Sequence, residues 1–296
     1  MIKMKSSLNR IWIFLFLFLL SLISACLPSK KLTIGATATL LEGVARSSNR
    51  QSDLKIIREG TPAYLMLMDG MIEAWPDNER LLIAAAQGYS SFSSTFAEEQ
   101  DKEYVKLLLG RARQYALRSL ELRGFQDPLG RPLDDFQKGL RALGKKEVTY
   151  IFWAANCWAS WISLNLDSME ALAELPRVEL MMQRVLELDE GFNYGSPHLF
   201  MGILFASRPK LAGGDLKKSQ EHFLKAIDIG EGKFLMAYVY YANFYARQAL
   251  DKDLFISTLQ KVQETPANIL PDLTLLNTVA KKQAKELMSR VEEYFE

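Results

Sequence analysis

Cysteine and histidine are scarce, with two of each in 296 residues. Two cysteines exclude a disulfide scaffold and a four-cysteine zinc site. Two histidines leave little for an imidazole metal centre. Charge of one sign is lacking as well. Lys plus Arg number 36 against 35 Asp plus Glu, a formal charge of +1, which offers no electrostatic footprint for nucleic acid. Residues 1–25 hold Lys3, Lys5 and Arg10 and no acid, so the remainder carries 33 basic against 35 acidic side chains. Bulk charge therefore does not choose its partners. With 17 glycines and 10 prolines at ordinary levels, the chain is neither fibrous nor low in complexity.

Catalytic signatures are also missing. There is no Gly-x-Ser-x-Gly elbow, and no carboxylate sits in an apolar run that would raise its pKa for acid–base work. Gly139-x4-Gly144-Lys145-Lys146 copies most of a phosphate-binding loop, but Lys146 stands where a magnesium-holding hydroxyl belongs and no buried strand precedes it. His198 and His222 fall on different expected helices, His222 beside Glu221 on what reads as a polar face. No metal, cofactor or catalytic residue is expected, and the chain does not read as an enzyme.

What is present begins with an address. Met1–Arg10 is basic, Ile11–Leu20 is unbroken apolar, and Leu22-Ile23-Ser24-Ala25-Cys26 follows. That order is a secretory signal with a small-residue cleavage site. The ten-residue run is about half of a membrane span. The ending Ile-Ser-Ala-Cys resembles a bacterial lipobox, which implies acylation of Cys26 and a membrane tether through N-terminal acyl groups. The expected organisation is a signal over 1–25, a tether with a short helix over 26–50, and one domain over 51–296. Cys157, in the apolar segment Phe152–Trp161, reads as a buried small hydrophobe.

Hydrophobic residues make up 49% of the chain, enough for a sizeable core. Their spacing is helical almost throughout: Val105, Leu108, Leu109, Ala112, Ala116 and Leu120 share one face. No series of alternating strands competes. The helices recur in pairs on the tetratricopeptide pattern, in which small residues sit where helices approach and aromatics fill the adjoining holes. Four units follow: Leu82-Ala85-Ala86-Tyr89 with Ala112-Ala116-Ser119; Ile151-Ala154-Ala155-Trp158 with Val178-Met182-Val185; His198-Met201-Gly202-Phe205 with Ser219-Phe223-Ala226; and Tyr238-Tyr241-Ala242-Tyr245 with Phe255-Leu259-Val262. Their spacings of 69, 47 and 40 residues exceed the regular 34. The expected fold is all-α, a helical-hairpin solenoid of four degenerate repeats with extra terminal helices.

A solenoid of this kind lines its concave face with residues of the first helix in each pair. There stand Ile83, Phe152, Leu199 and Val239, with Gln87, Asn156, Ile203 and Asn243 one turn on. The pattern predicts an apolar lane dotted with amides, suited to an extended backbone or the rim of a ligand. Phe152, Trp161 and Tyr240 fall off the strict core positions and join the candidate lining residues Gln87, Asn156 and Asn243.

Several motifs carry a family likeness: Ser52-Asp53-Leu54-Lys55-Ile56-Ile57-Arg58-Glu59-Gly60-Thr61-Pro62, Trp75-Pro76-Asp77-Asn78, Gln87-Gly88-Tyr89-Ser90-Ser91-Phe92, Ile151–Trp158 and Arg208–Asp215. Together they resemble the T-component lipoproteins associated with tripartite ATP-independent periplasmic (TRAP) transporters. The resemblance implies an all-helical protein with cryptic tetratricopeptide repeats. It implies partnership with the transporter's periplasmic solute-binding protein, self-association as a homo-oligomer with a trimer expected, an internal path for a hydrophobic small molecule, and no catalysis. The expected function is a membrane-anchored accessory of a TRAP-type system, facing the periplasm. An envelope-assembly scaffold that binds extended peptides is the alternative.

Overall fold

The structure, a computed structural model, describes residues 30–96 and 101–295. Among them every regular element is helical. The chain falls into two compact units, 1–41 and 42–296. The described part of the first is the start of helix α1 (Lys30–Asn49). The larger unit thus begins at Glu42, inside that helix. No helix among the described residues is long and apolar enough to cross a membrane, and the apolar run at 11–20 lies outside them.

The larger unit continues with α2 (Leu54–Ala74), α3 (Glu79–Phe96), α4 (Lys102–Leu122), α5 (Leu133–Ala142) and α6 (Val148–Ser163). Then come the short α7 (Met169–Ala173), α8 (Leu175–Asp189), α9 (Phe192–Ser207) and α10 (Leu216–Ile229). A six-residue α11 (Leu235–Tyr240) runs into a π-helical turn, Tyr241–Ala246. Helices α12 (Lys252–Glu264), α13 (Thr274–Ser289) and α14 (Val291–Phe295) close the chain.

Polar side chains start these helices. Asp53 accepts from the Lys55 and Ile56 amides, Asn78 from those of Arg80 and Leu81, and Asp101 from those of Glu103 and Tyr104. Asp215 and Asp251 do the same for α10 and α12. Each such cap contributes about 1 kcal/mol.

The long helices pack in series, α3 on α4, α4 on α6, α6 on α8, α9 on α10 and α12 on α13, as in a helical repeat stack, and the shorter α5 packs on α8. The small positions are the closest approaches. Ala85, Ala86, Ala112, Ala116, Ala154 and Ala155 are fully buried. Gly202 shows why they must be small: a Cβ there would lie 3.0 Å from the Phe223 ring. The Ser219 hydroxyl donates to the Gly202 carbonyl at 2.8 Å across the same contact. Asn193, Tyr194 and Gly195 all adopt positive φ, so α9 effectively begins at Ser196.

The last helices are tied by polar bonds. Fully buried Asn277 on α13 accepts from the Leu235 amide at 3.0 Å and donates to the Lys233 and Ala267 carbonyls. Lys281 Nζ donates to the carbonyls of Val262, Gln263 and Thr265. A cation there also opposes the negative end of the α12 dipole.

Candidate functional site

The apolar residues of the expected lane, Ile83, Phe152, Leu199 and Val239, are all buried. Phe152 was expected to line a ligand or partner surface. It is only 3% exposed, wedged between Trp153 and Phe192 at centroid distances of 5.4 and 5.1 Å. The hole it fills is closed by Phe192, which precedes the positive-φ residues 193–195.

The amides divide. Gln87 and Asn156 are half-buried, and among the described residues neither carboxamide has a hydrogen-bond partner. The Cys157 thiol lies 3.8 Å from the Ala86 carbonyl, so α3 and α6 meet at this level, and Gln87 and Asn156 adjoin that contact. Asn243 is committed elsewhere. Its Oδ1 accepts from Arg247 at 2.7 Å, and that guanidinium lies 3.7 Å from the Tyr294 ring centre on α14.

Trp161 does not join them. It faces α4, where the Arg113 guanidinium lies 4.1 Å from its ring centre. Tyr240 packs against the C-terminal core, edge-on to Phe244 at 5.9 Å. Burial pushes its phenol up, and its hydroxyl has no hydrogen-bond partner among the described residues. Cys26 lies outside the described residues.

Two polar clusters escaped the sequence reading. Asp69 accepts from the hydroxyls of Tyr89 at 2.6 Å and Tyr115 at 2.8 Å, and pairs with Arg111 at 3.1 Å, tying α2, α3 and α4. Burial and then the bond to Asp69 raise both phenols, so they stay neutral donors. In the second, Glu174 receives both Arg113 and Trp158. Neither is catalytic in form, since every group serves as a fixed donor or acceptor between helices. His222 is not on a polar face: it is half-buried and its ring meets that of His198.

The Cys157 thiol is buried and pushed up to about 12 by desolvation, which keeps it an unreactive thiol. Gly139 lies inside α5, and a carboxylate oxygen of Glu147 takes the Gly144 amide at 2.9 Å, where a phosphate-binding loop would need open amides. An open cleft of about 420 Å³ lies beside the α10–α11 turn. Asp228, Glu231, Tyr238, Lys261 and Thr265 line it, and Lys261 Nζ sits 4.6 Å from the Tyr238 ring centre. Among the described residues no group of three or more His, Cys, Asp or Glu side chains converges as a metal site.

No curated protein matches the chain. A family model described as TRAP transporter T-component matches residues 50–295, well over half of the sequence and nearly all of its helical body. The chain therefore belongs to the TRAP transporter T-component family, an accessory component of these transporters.

Proposed function

We propose that this chain is a non-catalytic, acylated periplasmic lipoprotein that docks the solute-binding protein of a TRAP-type system and handles a hydrophobic solute. The family match over residues 50–295 carries the reading. Cys26 is the lipidation site, the product of cleavage after residue 25, and the tether to residue 50 holds the tetratricopeptide-like body near the membrane. Self-association as a trimer belongs to the same reading and is checked by sedimentation.

Gln87 and Asn156 are the docking amides, because half-buried carboxamides with no protein partner have bonds to offer. Tyr240 supports the solute path in the same way, as a half-buried ring with an uncommitted hydroxyl in an aromatic setting.

The test is a Gln87→Leu, Asn156→Leu double variant. Each substitution of an uncommitted polar group costs under about 0.5 kcal/mol, so the fold should hold. Affinity for the cognate solute-binding protein, measured by calorimetry, should fall at least tenfold. Unchanged affinity would remove these amides from the interface. The alternative, an envelope scaffold that grips extended peptides, draws on the same two carboxamides. It gains if the double variant loses unstructured peptides while the solute-binding protein never binds. A Cys26→Ser variant that still takes up labelled acyl chains would sink the anchor.

A further inference from the structure

The two histidines of the chain face each other. His198 on α9 and His222 on α10 bring their Nδ1 atoms to 2.9 Å, with ring centroids 5.1 Å apart. On its other side, His198 Nε2 lies 3.4 Å from a Glu190 carboxylate oxygen, and Lys225 stands 3.6 Å from the second oxygen. Phe205 stacks on the His222 ring at 5.6 Å and 24°. Lys218, 5.5 Å from the Phe205 ring centre, and Glu221 are the other charges acting on His222. The pair spans the hairpin joined by 208–215, the loop on which Leu211 is fully exposed.

Proton positions follow from these partners. The Glu190 carboxylate takes the His198 Nε2–H, which leaves His198 Nδ1 as an acceptor. His222 then donates its Nδ1–H to it and keeps a bare Nε2. A first added proton goes to that bare nitrogen, and the contact survives with an imidazolium donor. A second proton has only His198 Nδ1 to occupy. Two N–H groups and two positive charges then oppose each other at 2.9 Å, and the contact is lost.

We propose that the His198–His222 pair is an acid-released latch across the α9–α10 hairpin, closed with up to one added proton and opened by the second. Its opening loosens the facing turns of α9 and α10, while the 208–215 loop keeps its own bonds to Phe205, Pro209 and Lys210. The spacing also suits two imidazoles on one divalent metal. With no third ligand of the usual types converging on them among the described residues, proton sharing accounts for the geometry with fewer groups.

Burial holds both imidazoles below the ordinary histidine value of 6.5, and on His222 the charge of His198 adds to it. As pH falls through about 6.5 the unfolded chain takes up protons before the folded one. The latch therefore contributes fully above that pH and is lost as pH falls toward the lower folded values.

The chain holds only these two histidines, so imidazole 15N signals of the full chain are unambiguous. They are followed from pH 8 to 4 in chelator, beside amide hydrogen exchange. Two separated steps below the ordinary value are expected. At the second, protection across the facing turns of α9 and α10 should drop at least tenfold while α3 and α4 keep theirs. His222→Phe retains a ring on Phe205 and should abolish that acid response. Two independent titrations at the ordinary value would overturn the latch, as would an equal loss of protection everywhere. So would stoichiometric Zn2+ uptake at pH 7 that either histidine substitution removes, which reassigns the pair to a metal. Should His222→Phe fail to fold, the wild-type titration and exchange decide alone.

Discussion

Trp158 Nε1 donates to Glu174 Oε2 at 2.6 Å, and the same oxygen receives Arg113 at 2.7 Å. Arg113 in turn lies over the rings of Trp158 and Trp161, at 5.1 and 4.1 Å from their centres. One carboxylate oxygen therefore joins α4, α6 and the α7–α8 junction. Trp158→Phe keeps a ring in the hole but removes the bond to a charged acceptor, at a cost of about 1.5–3 kcal/mol. Glu174→Gln leaves Arg113 uncompensated and should cost about 2 kcal/mol, below the range for a fully buried pair because both side chains keep some exposure. Urea unfolding measures both. Since the two bonds share an atom, the double variant should cost less than the sum of the singles.

Gly202→Ala tests the close approach of α9 and α10. The added methyl meets the Phe223 ring at 3.0 Å, an overpacking that costs about 1–3 kcal/mol. Adding Phe223→Leu should recover part of the loss in a thermal melt. No loss in the single variant would show that the hairpin yields at this point.

Cys157 should resist thiol reagents in the native state, because its pKa of about 12 leaves almost no thiolate at pH 8. In a Cys26→Ser background, mass spectrometry after a thiol label should find modification only in denaturant. Rapid native labelling would mean that α3 and α6 part readily.

Asn243→Leu separates folding from docking. It frees Arg247 from the bond that holds it over Tyr294, so a loss of about 1 kcal/mol is expected. Affinity for the solute-binding protein should stay within twofold, in contrast to the Gln87 and Asn156 substitutions.

The all-helical stack was legible because its closest contacts repeat. Ala85-Ala86-Tyr89 and Met201-Gly202-Phe205 announce a small-then-aromatic stripe in any window of one turn. Asn78 and Asp215, each beside a proline or glycine break in the sequence, cap the next helix; Asp251 does the same with no such break beside it. The lane was read less well. Alignment to the repeat placed Asn243 with Gln87 and Asn156, but Asn243 sits in a π turn, whose wider winding departs from the helix that the alignment assumes. Phe152 was assigned by position, yet burial depends on what a distant segment presents, here Phe192 just before the 193–195 kink. The His pair left a faint signal: His222 falls three residues after buried Ser219 and four before buried Ala226. Its neighbour Glu221 made the face look polar. Glu174 gave no signal, since its partners come from two other helices.

The bonds made by α13 set an order on the making of this protein. The carbonyls of Val262, Gln263 and Thr265 have Lys281 as a shared donor, and the Lys233 carbonyl and Leu235 amide both wait on Asn277. On the ribosome, the stretch from 233 to 265 emerges well before either side chain. Through that interval those backbone groups must be served by water, and the apolar faces of α11 and α12 stay uncovered. The earlier pairs carry the same debt, since the Arg131 carbonyl waits on Arg177 and those of Arg141 and Leu143 wait on Arg184, so each hairpin is completed by sequence made after it.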